Sequence, residues 1–206
     1  MRALNGIGKY SKLIKNAKVL LARNYSSSTR YRVIFLLSSA YYKSGDILNA
    51  KESADRQLSL ALKRGNSNEI VESYIHLSSL LVNERKYKEA IKGYKNAKTY
   101  LDKVPDIVGD ATYLWGIGTA YEGDKQTQRA LSSYNQAIEV FYSLGAASAI
   151  SYLHYNIGNI YFASNEAAES LEHYTKALSF SRRGQERATF EELYAISGLL
   201  KYLIYI

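Results

Sequence analysis

Residues 112–137 read TYLWGIGTAYEGDKQTQRALSSYNQA, the clearest copy of a pattern that recurs along the chain. Apolar and small residues recur three and four positions apart on both sides of Gly123-Asp124, which predicts two helices joined by a tight turn. The pattern returns 40 residues later and also 40 and 80 residues earlier. The four copies are Leu114, Ile117, Gly118, Tyr121, Ala130, Tyr134 and Ala137; His154, Ile157, Gly158, Tyr161, Ser170, Tyr174 and Ala177; Tyr74, Leu77, Ser78, Leu81, Ala90, Tyr94 and Ala97; and Ile34, Leu37, Ser38, Tyr41, Ala50, Ala54 and Gln57. A fixed period of this size is typical of stacked structural repeats.

Each copy has one small residue in its first half and one in its second half. Gly118 is paired in this way with Ala130, and Gly158 with Ser170. Small residues facing each other allow two helices to approach closely, while large apolar residues fill the space around the contact. The pattern therefore predicts a tightly packed pair of antiparallel helices in every repeat.

The spacing resembles that of the tetratricopeptide repeat, W-x2-L-G-x2-Y followed by A-x3-F and a proline. Leu114, Ile117, Gly118 and Tyr121 match its first half, and Ala130 with Tyr134 matches its second half. The repeat-ending proline is absent, and the period is longer than the usual length of about 34 residues. Both departures resemble the long-helix variety found in kinesin light chains, Pins-type polarity adaptors and Rap-type bacterial peptide sensors. The resemblance implies an all-α, right-handed solenoid of helix-turn-helix repeats.

The resemblance also divides the chain into repeats within a single solenoid over residues 1–206. The predicted units are a half repeat at 1–25, full repeats at 29–68, 69–105, 106–145 and 146–184, and a half repeat or capping helix at 185–206. Residues 64–68 are predicted to form a connecting loop, and the last helix to span residues 185–202. The apolar ending LLKYLIYI either packs on the preceding helix, associates with another chain, or continues into a longer protein.

The composition is that of a globular protein, with 47% hydrophobic and 22% charged residues among 206. No cysteine is present, which excludes disulfides and thiol chemistry. The three histidines, His76, His154 and His173, lack metal-ligand spacing, and His154 occupies a core position of the pattern. No catalytic motif is found, so we expect a non-enzymatic protein without cofactor or metal.

The formal net charge of +8 is concentrated at one end. Residues 1–45 contain nine Lys or Arg and no acidic residue, whereas the remainder contains 18 basic and 19 acidic residues. We call the first four of these lysines, Lys9, Lys12, Lys15 and Lys18, the basic end. The asymmetry predicts an acidic partner there, either a nucleic acid or an acidic protein.

Residues 1–25 allow two interpretations. Their basic, acid-free composition is typical of a mitochondrial targeting segment. However, Ile14 and Ala17 lie 80 residues before Tyr94 and Ala97, in the register of the second helices. The register favours a repeat helix and therefore a cytoplasmic location. No apolar run approaches the roughly 20 residues that span a membrane.

In tetratricopeptide arrays the first helices line a concave face with a stripe spaced i, i+3, i+7 and i+10. The resemblance assigns this stripe to Arg32, Phe35, Ser39 and Tyr42; Glu72, Ile75, Ser79 and Val82; Thr112, Trp115, Thr119 and Glu122; and Tyr152, Tyr155, Asn159 and Phe162. Its aromatic content predicts a binding groove for a protein or peptide partner, and the alternative is that the rings bury one another. Asn159 either clamps a bound backbone or bonds to water. Tyr155, four residues earlier, argues against a carboxylate clamp.

Three functions remain open from the sequence. The first is an interaction scaffold that binds a peptide or helix in the groove. The second is a nucleic-acid or acidic-partner binder acting through the basic end, and the third is the sensor domain of a peptide-responsive regulator. Self-association through the apolar C-terminal helix is a further possibility for the partner.

Overall fold

The structure, a computed structural model, describes residues 2–182 and 190–205. Within these residues it contains ten α-helices and no strand, as predicted for an all-α repeat protein. The helices are α1 (Arg2–Leu21), α2 (Ser27–Lys43), α3 (Ile47–Arg64), α4 (Ser67–Asn83), α5 (Tyr87–Leu101), α6 (Ile107–Gly123), α7 (Thr127–Ser143), α8 (Ala147–Ala163), α9 (Ala167–Ser181) and α10 (Phe190–Tyr205). None of these described helices is long and apolar enough to cross a membrane.

The turn inside each helix pair has the same backbone geometry in all four repeats. A residue with positive φ recurs every 40 positions, at Gly45 (86°), Arg85 (60°), Lys125 (60°) and Asn165 (65°). Glycine adopts this left-handed conformation without steric cost, and Asn tolerates it better than most residues. Arg85 and Lys125 adopt it at some cost, so the packing of the two helices determines the turn more than the residue type does.

The connection between the first two full repeats is shorter than predicted. Gly65 ends α3 in a left-handed conformation with φ of 67°, and Asn66 caps α4 by accepting a hydrogen bond from the Glu69 amide. The helix therefore begins at Ser67, inside the predicted loop of residues 64–68. Asn favours this position because its side chain satisfies an amide of the first helical turn.

The chain forms two compact units, residues 1–109 and 110–206. In the first unit, Ala17 of α1 is buried against Val33, Leu37 and Tyr41 of α2, with Ile14 and Leu21 beside it. Helix α1 therefore packs on α2, and the half repeat over residues 1–25 stays a prediction. The single solenoid over residues 1–206 stays a prediction.

The small residues of the pattern make the close contacts expected of them. The Ser38 hydroxyl donates to the Ala50 carbonyl at 2.7 Å, and the Ser170 hydroxyl donates to the Gly158 carbonyl at 3.0 Å. A Cβ atom at Gly118 would lie 2.7 Å from two ring carbons of Tyr134. The small residue of the first helix thus also makes room for the buried tyrosine of the second helix.

The first full repeat replaces this tyrosine with Ala54. Its small residue, Ser38, instead faces His76 of α4, whose Nε2 lies 3.4 Å from the Ser38 hydroxyl. The other ring nitrogen of His76 lies 3.0 Å from Oε1 of Gln57, a fully buried side chain. Burial lowers the pKa of His76 to about 4. An imidazole from the next repeat therefore fills the position that a phenol ring occupies elsewhere.

Helix α10 departs from the repeat register. Ala195 is fully buried, whereas the corresponding residue 40 positions earlier, Tyr155, is partly exposed. Conversely, Tyr194 is 42% exposed although its counterpart His154 is buried. A Cβ atom at Gly198 would overlap the Tyr174 ring, so this glycine packs on α9. The helix ends at Tyr205, beyond the predicted end at residue 202, and its predicted start at residue 185 lies outside the described residues.

Candidate functional site

Four aromatic side chains from three helices form a continuous surface in residues 110–206. Trp115 of α6 contacts Tyr152 of α8 with ring centroids 5.5 Å apart. Tyr152 and Tyr155 both contact Tyr194 of α10, at 5.6 and 5.3 Å. We call Trp115, Tyr152, Tyr155 and Tyr194 the aromatic face. Three of its four members were predicted from the stripe, and the structure brings those three together.

The rings of the aromatic face are neither fully buried nor freely solvated. Trp115, Tyr152 and Tyr155 are partly buried, and Tyr194 is 42% exposed. Trp115 is supported from α7 by Phe141, which meets it edge-on with centroids 6.0 Å apart. The rings therefore pack side by side and keep part of their area in solvent. A binding groove at these residues stays a prediction.

Asn159 is held in one orientation by the second helix of its repeat. The Tyr174 hydroxyl donates to Asn159 Oδ1 at 2.9 Å. This bond directs the amide nitrogen of Asn159 away from Tyr174 as a hydrogen-bond donor. Phe162 lies one turn further along α8 and is partly buried.

Glu122 and Thr119 of α6 likewise interact with a tyrosine hydroxyl of the second helix of their repeat, that of Tyr134 on α7. The Tyr134 hydroxyl donates to Glu122 Oε2 at 2.6 Å and lies 3.3 Å from the Thr119 hydroxyl. Burial raises the pKa of Glu122, although the bond from Tyr134 opposes the shift. The fully buried tyrosines of the second helices thus orient polar stripe residues of the first helices.

Several stripe residues of the first unit contact other side chains of the protein. Phe35 contacts His76 edge-on at 4.7 Å, and Glu72 accepts a 2.7 Å hydrogen bond from Tyr31. Tyr42 packs against the core and Ile75 is partly buried, whereas Arg32 is exposed. A binding groove that includes these five residues stays a prediction.

The basic end is solvent-exposed. Lys9, Lys12, Lys15 and Lys18 are all exposed on α1. The Lys18 ammonium lies 5.6 Å from the Tyr41 ring centroid, and a hydrogen bond with the Tyr41 side chain raises the pKa of Lys18. An acidic partner for these lysines stays a prediction.

Two of the three histidines contact each other. His154 and His173 meet across α8 and α9 with their Nδ1 atoms 3.1 Å apart. Burial lowers the pKa of both, that of His154 to about 4. In the described part of the chain, no three His, Cys, Asp or Glu side chains converge as metal ligands would.

The histidine pair and Tyr194 of the aromatic face were not predicted from the sequence, for different reasons. The histidine pair had a signal, because residues 154 and 173 lie at similar distances on either side of the turn at Asn165. No sequence signal indicated an exposed Tyr194, because its counterpart 40 residues earlier, His154, occupies a core position. In the structure, Tyr194 is nevertheless exposed.

Comparisons with known proteins agree with this fold. The sequence profile of the tetratricopeptide repeat matches residues 31–64 and 151–183. No curated protein matches the chain significantly.

Solved structures at low sequence identity have the same fold. A Rap protein complexed with competence and sporulation factor shares 13% identity at a TM-score of 0.78, with 98% of this chain and 53% of that protein covered. Bacillus thuringiensis PlcR, in complex with the peptide PapR7 and DNA, shares 17% identity at 0.72, with 97% and 70% covered. A putative kinesin light chain repeat protein of Podospora anserina shares 14% identity at 0.71, with 88% of each chain covered. The chain thus spans about half the length of the Rap protein.

The profile matches, the recurrent turn and the helix pairs together define the class of this molecule. Its fold is that of helical repeat proteins of the tetratricopeptide type, and two of its stretches match the repeat profile. Its neighbours include Rap and kinesin light chain structures, the relatives suggested by the long repeat in the sequence.

Proposed function

We propose that this protein is a non-catalytic interaction module and that the aromatic face binds an extended segment or a helix of a partner protein. The observation that carries the proposal is the continuous, partly exposed ring surface from Trp115 to Tyr194. Partly exposed Trp and Tyr clusters are enriched at binding hot spots because they bury large areas at low entropic cost.

Two further observations support this proposal. Asn159 presents an oriented amide donor beside the rings, which suits hydrogen bonding to a partner backbone. In addition, the Rap and PlcR structures with this fold are complexes with competence and sporulation factor and with the peptide PapR7 and DNA. The same comparison is compatible with a role as the sensor domain of a peptide-responsive regulator.

Replacement of Trp115 by Ala tests the proposal. Peptides selected from a random library displayed on phage serve as the probe. Trp115 is the only tryptophan, so its fluorescence reports on the aromatic face. We expect bound peptides to shift this emission, and Trp115→Ala to weaken their binding by about 2 kcal/mol because a central anchor is lost.

The control is Tyr142→Ala, which removes an exposed ring on α7. We expect it to leave the affinity unchanged. Selected peptides that bind wild type and Trp115→Ala equally well would show that the binding surface lies elsewhere.

A second candidate function is favoured by the basic end. Four lysines of α1 point into solvent while Ala17 and its neighbours pack on α2, so the charged side is available to a polyanion. We expect a single-stranded oligonucleotide to bind weakly with strong salt dependence, since phosphate contacts release counterions. Replacing Lys12 and Lys15 by Ala should reduce the slope of log affinity against log salt by about 1 to 2. A slope that these replacements leave unchanged would remove this function.

A further inference from the structure

A carboxylate with no basic partner among the described residues, Glu122, lies beside the aromatic face. Glu122 lies two helical turns after Trp115, on the same side of α6 and about 10 Å further along its axis. Its Oε2 atom accepts a hydrogen bond from Tyr134, and no Lys, Arg or His lies within ion-pair distance among the described residues. A partly buried carboxylate in this state lacks both full hydration and a counter-charge, so a cation is the group that would stabilise it most.

The neighbouring rings favour the same kind of ligand. The faces of Trp and Tyr rings attract cations. One such contact already exists on this surface, because the Lys201 ammonium lies 5.9 Å from the Tyr155 ring centroid. Burial raises the pKa of the Tyr152 phenol most, and the neighbouring Tyr194 and Tyr155 and the Glu122 carboxylate raise it further. A carboxylate and ring faces therefore adjoin on one surface.

The wider charge of this half of the chain is also suited to a basic ligand. Residues 110–206 carry ten acidic and seven basic side chains, whereas residues 1–109 carry nine acidic and twenty basic ones. The half with the aromatic face is thus the one that attracts cationic segments at long range.

We propose, on the basis of the proposed function, that Glu122 recognises a Lys or Arg side chain of the bound segment. The cationic group pairs with the Glu122 carboxylate, and its aliphatic stem lies along the rings of Trp115 and Tyr152. The hydrogen bond from Tyr134 holds the carboxylate in place before the partner arrives. The partner is therefore a protein segment with one basic side chain among apolar residues, and the basic side chain provides selectivity.

Parallel peptide selections on wild type and on Glu122→Gln test this inference. The Gln side chain has the same shape and still accepts the Tyr134 hydrogen bond, but it carries no charge. We expect wild-type peptides to share a Lys or Arg position, and that preference to disappear with Glu122→Gln. The matched control is Glu139→Gln, an exposed carboxylate on α7, which should leave the preference intact.

A double-mutant cycle then measures the contact directly. Substituting citrulline for the peptide Arg, or norleucine for its Lys, should weaken binding to wild type about 10-fold or more, and should have little effect on binding to Glu122→Gln. The wild-type measurement alone remains decisive if the variant folds poorly.

The outcomes separate this inference from the function on which it rests. Peptides that require Trp115 but show no basic preference, or whose preference survives Glu122→Gln, overturn the inference and leave the proposed function standing. If no selected peptide depends on Trp115, the proposed function fails and the inference fails with it.

Discussion

Gly118→Leu should destabilise the protein by about 2 kcal/mol. A single Cβ atom at this position would already lie 2.7 Å from two ring carbons of Tyr134, whose side chain is fully buried. Forcing the two helices apart costs about 3 kcal/mol. Leucine recovers about 1 kcal/mol because it is a better helix former than glycine. The overpacking term is larger, so the net change is destabilising.

The measurement is urea unfolding followed by far-ultraviolet circular dichroism. The matched control is Gly8→Leu, since Gly8 lies in α1 with no atom within 4 Å of its Cβ position. There the helix-propensity term acts alone, so the substitution should be neutral or slightly stabilising. Equal unfolding midpoints for Gly118→Leu and wild type would show that the described packing of α6 on α7 is wrong.

Lowering the pH from 7 to 5 should remove about 2 kcal/mol of stability through His76 alone. Burial lowers the pKa of His76 to about 4, whereas an unfolded histidine titrates near 6.5. Between these values the unfolded chain binds a proton that the folded chain does not, so stability falls as the pH falls. His154, with a pKa of about 4, acts in the same direction.

His76→Gln isolates the contribution of this residue. Glutamine keeps a polar group near Gln57 and Ser38 but does not titrate. Urea unfolding at pH 7 and at pH 5 should therefore show a smaller loss of stability for His76→Gln than for wild type. The variant starts from a lower stability, so the comparison concerns the difference between the two pH values. The same loss in both proteins would mean that His76 is not desolvated as described.

The repeat register predicted most of the fold because each helix pair meets the same neighbours. Gly118 and Gly158 both face a buried tyrosine from the second helix, and the left-handed turn residue recurs from Gly45 to Asn165. A residue's environment is then set by its position in the period. The alignment of copies was therefore sufficient to place Trp115, Tyr152 and Tyr155 on one side of their helices.

The repeat register did not predict the environment of a residue where its packing partner differs from that in the other repeats. Ala54 leaves space that a tyrosine fills elsewhere, and His76 enters from the following repeat. Likewise, on α10 Tyr194 is exposed and Ala195 is buried, whereas their counterparts 40 residues earlier are buried and partly exposed, respectively. Such substitutions depend on three-dimensional volume, which a one-dimensional pattern does not contain. The hydrogen bonds from Tyr134 to Glu122 and from Tyr174 to Asn159 also needed coordinates, because they join residues 12 and 15 positions apart.

Site-specific photo-crosslinking tests the central claim, that the aromatic face binds the partner segment. A photoreactive benzoylphenylalanine replaces either Tyr194 or Tyr142, and the selected peptide is the probe. These tyrosines are 42% and 59% exposed and belong to the same half of the chain, on α10 and α7. We predict a covalent adduct with the peptide from position 194 and none from position 142. An adduct from position 142 with none from position 194 would contradict it, because the more exposed ring outside the aromatic face would then be the one in contact.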